Sequence, residues 1–246
     1  MAEQVPGRLV FLDFDGVICD SLPECYTVSL AAYYGLYRKS KVPKDASGVT
    51  ETVFRRFRPY IRRGGDYLFI QMAIHQSIRL ESQADFDTLI SANHNLDDQF
   101  HSLFYEARNQ LFKTDPDRWY ALNPLYPTIK DLLGKYSKDP SFLILSTKEA
   151  HFIAEILWHH GIGWEEDRIY CSGKERKLSF IDRVMDELGG TEGLFIDDQI
   201  DHFKGDSRHP VHCLLADWGY VIPEWLSSGK AETVSLRKLG TYLSPG

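Results

Sequence analysis

Leu9-Val10-Phe11-Leu12-Asp13-Phe14-Asp15-Gly16-Val17-Ile18-Cys19-Asp20-Ser21 decides how the rest of the chain is read. An apolar run that stops in a charged cluster is the pattern of a buried strand with an abrupt end. Here the end is two carboxylates one residue apart, followed by glycine. Period-two geometry places Asp13 and Asp15 on one face and turns Phe14 away. Two anions so placed repel, and they need a cation or a proton between them. A hard divalent ion with oxygen ligands would supply that compensation. Gly16 lets the backbone turn tightly without a β-carbon in the way of an approaching substrate.

With 246 residues, 43% of them hydrophobic, the chain can bury a sizeable core in one large domain or two modest ones. A formal net charge of -7 argues against nucleic acid or an anionic membrane as the main partner, since both reward a basic surface. Cys19, Cys25, Cys171 and Cys213 show no CxxC spacing and read as reduced intracellular thiols. No basic N-terminal region leads into a long apolar segment, and no stretch approaches a membrane-spanning length. The expectation is a cytoplasmic protein without a membrane partner.

Along the chain, a helix is predicted from about Glu24 to Tyr34, with Asp20 and Ser21 as cap residues. Lys39 to Gly48 is polar and Pro-containing, the composition of a loop or hinge. From about Val49 to Trp119, apolar residues recur at three-to-four spacing, which predicts an all-helical block. Strand signals return at 141–146, 168–171, 193–196 and 211–215, with helices predicted at 128–136, 150–160 and 178–188. Strands alternating with helices imply a parallel sheet covered on both faces, and such sheets bind ligands beyond the carboxyl ends of their strands.

The opening stretch resembles motif one of the haloacid dehalogenase superfamily, where Asp-x-Asp-Gly-Val-x-x-Asp-Ser is typical of phosphatases and phosphomutases. The resemblance implies an α/β, Rossmann-like core formed by residues 1–20 and 121–246. Residues 21–120 would be a helical cap, hinged near Ser21 to Glu24 and Trp119 to Pro124, which closes over the site and excludes water. Three later segments match further motifs in order. Ser146, ending an apolar strand, matches the phosphoryl-binding hydroxyl of motif two. Thr147 and Lys148 follow it, where some relatives carry a substrate-contacting polar residue. Lys177 or Lys174 would be the motif-three cation, with Lys177 preferred because it directly precedes the apolar-periodic run of a helix. Leu194-Phe195-Ile196-Asp197-Asp198-Gln199-Ile200-Asp201 resembles motif four, with Asp197 on the metal and Asp198 or Asp201 assisting. Trp218-Gly219-Tyr220 resembles a turn common among phosphoglycolate-phosphatase-like members and reads as structural.

The implied reaction is Mg²⁺-dependent hydrolysis of a small phosphorylated metabolite. Asp13 would attack phosphorus to form an aspartyl-phosphate, and Asp15 would serve as acid and then as base. Mg²⁺ would be held by Asp13, the backbone carbonyl of Asp15 and Asp197, and Gly16, Ser146 and the lysine would surround the phosphoryl group. The presence of Asp15 disfavours dehalogenation, whose enzymes need no leaving-group acid. A β-phosphoglucomutase-like phosphotransferase and a non-catalytic interaction protein are the alternatives. Substrate choice is placed in the cap, with Arg58 and Arg62 reaching a second anionic group. A monomer or a homodimer is expected.

Overall fold

The computed structural model describes residues 7–38 and 49–243, so the predicted loop or hinge at 39–48 lies outside the described residues. In chain order the elements are β1 (Arg8–Leu12), α1 (Leu22–Tyr33), α2 (Val49–Phe57), α3 (Asp66–His75), α4 (Gln83–Ala92), α5 (Asp97–Thr114), α6 (Pro116–Ala121) and α7 (Pro127–Tyr136). They continue with β2 (Phe142–Ser146), α8 (Ala150–His159), β3 (Ile169–Cys171), α9 (Lys177–Leu188), β4 (Glu192–Asp197), β5 (Val211–Ala216), α10 (Pro223–Ser227), β6 (Glu232–Val234) and α11 (Leu236–Leu243). Two compact units result: Met1–Asp20 with Pro124–Gly246, and Ser21–Asn123.

The first unit is built on a six-stranded parallel sheet in the order β3-β2-β1-β4-β5-β6. Parallel neighbours need a crossover between them, and helices covering both faces make the inner strands near-continuous apolar runs. Accordingly Leu9 to Leu12 and all of β2 are buried. On one face Leu9, Phe11, Leu143, Leu145 and Phe195 pack against Leu178, Ile181, Val184 and Met185 of α9. Each such side chain contributes about 1.5–3 kcal/mol when fully buried. Leu12 lies opposite both Ile144 and Ile196, so β1, β2 and β4 end within two residues of one another. The strand order runs to one side of β1 through β2 and β3, and to the other through β4, β5 and β6. That reversal opens a crevice at their carboxyl ends.

The predicted strands and helices of this unit are present within a residue or two at each end. The sequence reading stopped at β5, whereas α10, β6 and α11 complete the sheet edge and C-terminus. A three-residue strand such as β6 is too short to show a period.

In the second unit α1 is buried almost all round, through Leu22, Cys25, Tyr26, Val28, Leu30, Ala32 and Tyr33, and it packs against α3 and α5. A helix apolar on every side is the core of its bundle. Tyr67 stacks between Phe54 and Phe104, with ring centroids 5.6 and 5.1 Å away. Within this apolar centre the Arg108 guanidinium grips Glu24 with two hydrogen bonds of 2.8 and 3.0 Å. The predicted cap of α1 is corrected: Ser21 makes no side-chain cap hydrogen bond, and its buried Oγ has no partner among the described residues. Asp20 instead accepts the Tyr220 hydroxyl at 2.7 Å. The capping box of this unit is at Ser82 and Asp85, ahead of α4.

Candidate active site

β1 delivers Asp13 to the carboxyl end of the sheet, where its backbone N–H donates to Ile196 O at 2.9 Å. Beyond it the chain folds back on itself: Ile18 and Cys19 both donate to Phe14 O, and Gly16 donates to Cys19 O. The side chains of Asp13 and Asp15 meet different cations. Lys177, the first residue of α9, places Nζ 2.8 Å from Asp13 Oδ1 and 2.7 Å from Asp197 Oδ2. Lys148, two residues past the end of β2, places Nζ 2.8 Å from Asp15 Oδ1. Both lysines are buried, whereas Lys174 is exposed in the turn before α9. Of the two lysines the sequence offered, only Lys177 therefore reaches these carboxylates.

Asp197 closes β4 and is completely buried. Its Oδ1 accepts the Gln199 N–H at 2.8 Å, and its Oδ2 lies 2.8 Å from His202 Nδ1 in addition to Lys177. His202 arrives on a 3-10 turn, Ile200–Phe203, and was not singled out from sequence. A lone histidine five residues after an acid belongs to no metal-ligand spacing, and only that turn brings it back.

Asp198 Oδ2 accepts the Tyr220 N–H at 2.7 Å. The same carboxyl group packs directly on Gly16, whose φ is +96° and where a β-carbon would come within 2.6 Å of Asp198 Cγ and 2.9 Å of the Tyr220 ring. Gly16 thus also permits the close approach of Asp198 to the motif-one turn. The Trp218-Gly219-Tyr220 turn straps the same loop from above, since Trp218 Nε1 donates to Val17 O at 3.1 Å. Asp201, on the 3-10 turn that follows, pairs with Lys204 at 2.5 Å.

Ligand oxygens of Asp13, Asp197 and Asp198 lie within 4.8 Å of one another, and all three residues are buried. Asp15 stands beside these three with Lys148, so four carboxylates gather here with the two lysines and His202. The buried, all-oxygen donor set of Asp13, Asp197 and Asp198 fits a hard divalent cation. Electrostatics divide the acids further. Burial pushes Asp13 up to about 6, against the opposing pull of Lys177. Burial acts the same way on Asp197, but His202 and Lys177 outweigh it and hold that carboxyl well below the usual range. Lys177 is kept charged, because Asp13 and Asp197 more than offset the burial of its ammonium.

Ser146 ends β2 beside this cluster, buried, with its Oγ accepting the Lys148 N–H at 3.3 Å and its carbonyl accepting the Ser172 N–H at 2.9 Å. Thr147 next to it is partly exposed. In the helical unit, Arg58 is buried with its guanidinium 5.6 Å from the centre of the Tyr67 ring. Arg62 donates to Pro59 O, Ile61 O and Gln83 Oε1, and so braces its own unit.

Among solved structures the chain is similar to one described as a predicted phosphatase from Clostridium acetobutylicum, with TM-score 0.59 and 19% identity over 96% of this chain and 97% of that one. It is similar also to one described as a predicted phosphoglycolate phosphatase from Haemophilus somnus, with TM-score 0.59 and 15% identity over 96% and 97%. A haloacid dehalogenase-like family hydrolase from Streptococcus pneumoniae gives TM-score 0.56 and 16% identity over 96% and 98%. The fold is that of the haloacid dehalogenase-like hydrolases. No protein-family model matches the chain, and no curated protein matches it. In this haloacid dehalogenase-like fold, Asp13, Ser146, Lys177, Asp197 and Asp198 are drawn from the ends of β1, β2 and β4 and from the start of α9.

Proposed function

We propose that the protein is a Mg²⁺-dependent phosphatase that hydrolyses a small phosphorylated metabolite through an aspartyl-phosphate on Asp13. The observation that carries this reading is the Lys177 ammonium lying against both Asp13 and Asp197 at the carboxyl end of the sheet. A lysine so placed screens the nucleophile from an incoming phosphate dianion and receives its oxygens.

The Asp13 carboxylate attacks phosphorus, and the bond from phosphorus to the substrate oxygen breaks. Asp15 gives its proton to that departing oxygen and releases the alcohol. Water then attacks phosphorus, Asp15 takes up its proton, and Asp13 is freed with release of inorganic phosphate. The Ser146 hydroxyl and the Lys177 ammonium hold phosphoryl oxygens through both steps. Asp13, Asp198 and Asp197 would hold the Mg²⁺, which supplies Lewis-acid neutralisation of the phosphoryl charge. Asp197 and Asp198 both contribute oxygens to the three-acid cluster with Asp13. The helical unit is retained as the specificity element and as a mobile cap, with Arg58 as its anion-binding side chain.

Phosphate release across a metabolite panel, with and without Mg²⁺, tests the reading. Activity that needs Mg²⁺ and disappears in Asp13→Asn supports it. Isomerisation of a sugar monophosphate without phosphate release would indicate a phosphotransferase. Silence across the panel in the wild-type protein would indicate an interaction protein.

A further inference from the structure

Lys148 is the second lysine of the site, and the chemistry above gives it no task. Its backbone N–H is tied to Ser146 Oγ at 3.3 Å, which sets where its side chain begins. The side chain is 1% exposed, against 17% for its partner Asp15. The ammonium lies 2.8 Å from Asp15 Oδ1 and 5.4 Å from the centre of the Phe14 ring. Phe14 is itself fully buried, between the two acids in sequence, so the lysine rests on the packed core of motif one.

Burying an ammonium costs several kcal/mol unless a charge partner and good geometry offset it. One lysine, Lys177, already serves Asp13 and Asp197. The structure thus pairs the two carboxylates of motif one with different cations, one just past β2 and one at the start of α9.

We propose that Lys148 is a positioning residue for Asp15: it holds the carboxyl group where the proton passes to and from the substrate oxygen. This rests on the phosphatase reading and extends it. Lys148 forms no bond to phosphorus.

Leaving-group dependence separates this role from phosphate binding or simple structural support. An alkoxide must be protonated as it departs, whereas 4-nitrophenolate leaves without help. The test compares kcat/KM for the best alkyl phosphate of the panel with that for 4-nitrophenyl phosphate. In Lys148→Met the alkyl phosphate should lose roughly 100-fold and 4-nitrophenyl phosphate less than about 10-fold, the range that general acid catalysis spans. Asp15→Asn should show the same selectivity, and adding Lys148→Met to Asp15→Asn should change little more. Lys148→Arg, which keeps the charge, should recover part of the alkyl-phosphate rate and serves as the readout if Lys148→Met does not fold. Equal losses on both substrates, or none on either, would overturn the inference while leaving the phosphatase reading intact. Absence of phosphate release by the wild-type protein from either substrate would overturn both.

Discussion

Lys177 Nζ stands 2.8 Å from Asp13 Oδ1 and ties the end of β1 to the start of α9, while its third-residue contact, Asp197 Oδ2 at 2.7 Å, adds β4. Removing the ammonium would leave two buried carboxylates facing one another. Lys177→Met should destabilise the protein by about 3–5 kcal/mol, the usual result of breaking a buried pair on one side. Urea unfolding checks this. Phosphate release should fall by at least about 100-fold in the fraction that remains folded.

Asp13 is raised from 3.8 to about 6, mainly by burial. A carboxyl whose folded value exceeds its unfolded one stabilises the fold fully below the unfolded value, and that contribution is lost as pH rises through about 6. In a chelator, wild-type stability should therefore decline relative to Asp13→Asn between pH 4 and pH 7, by up to roughly 3 kcal/mol. Added Mg²⁺ should restore the wild type at pH 7 and have little effect on the variant. Parallel declines in both proteins, measured by urea titration, would count against a raised Asp13.

Gly16 combines φ of +96° with direct contact to Asp198. Gly16→Ala should cost roughly 2 kcal/mol or more from strain and displacement together. Because the atom displaced belongs to Asp198, apparent Mg²⁺ affinity should also fall, which calorimetric titration reads directly.

Glu24 and Arg108 form a bidentate pair inside the helical unit, with Arg108 stacked on Phe104 at 4.7 Å. Their attraction overcomes the burial of Arg108 and keeps it charged. Glu24→Ala or Arg108→Ala alone should cost about 3–5 kcal/mol, whereas replacing both with well-packed apolar residues should cost far less. Thermal unfolding of the two single variants and the double variant provides the cycle.

The sheet and its order of elements were legible because buried parallel strands are short apolar runs, bounded by helices whose period is visible in a window of a dozen residues. Asp13, Asp15, Ser146 and Asp197 were legible for the same reason, each being the polar residue that ends such a run. What local pattern could not convey was pairing. The choice between Lys177 and Lys174 rests on three positions of phase at the start of α9, which decide whether an ammonium is buried against Asp13 or exposed. Lys148, His202 and Tyr220 reach the site by turns whose direction has no sequence period, and Arg108 finds Glu24 across 84 positions.

The sequence alone therefore determined that two acids would stand at the end of a buried strand and would need positive charge, because their spacing and the apolar run before them are local facts. Only the tertiary structure decided which charge each acid receives. Asp13 is matched with Lys177 and Asp15 with Lys148 because β2 and β4 flank β1 in register, and α9 begins beside them. Coulomb attraction acts through space, and in a folded chain neighbours in space are set by the sheet order.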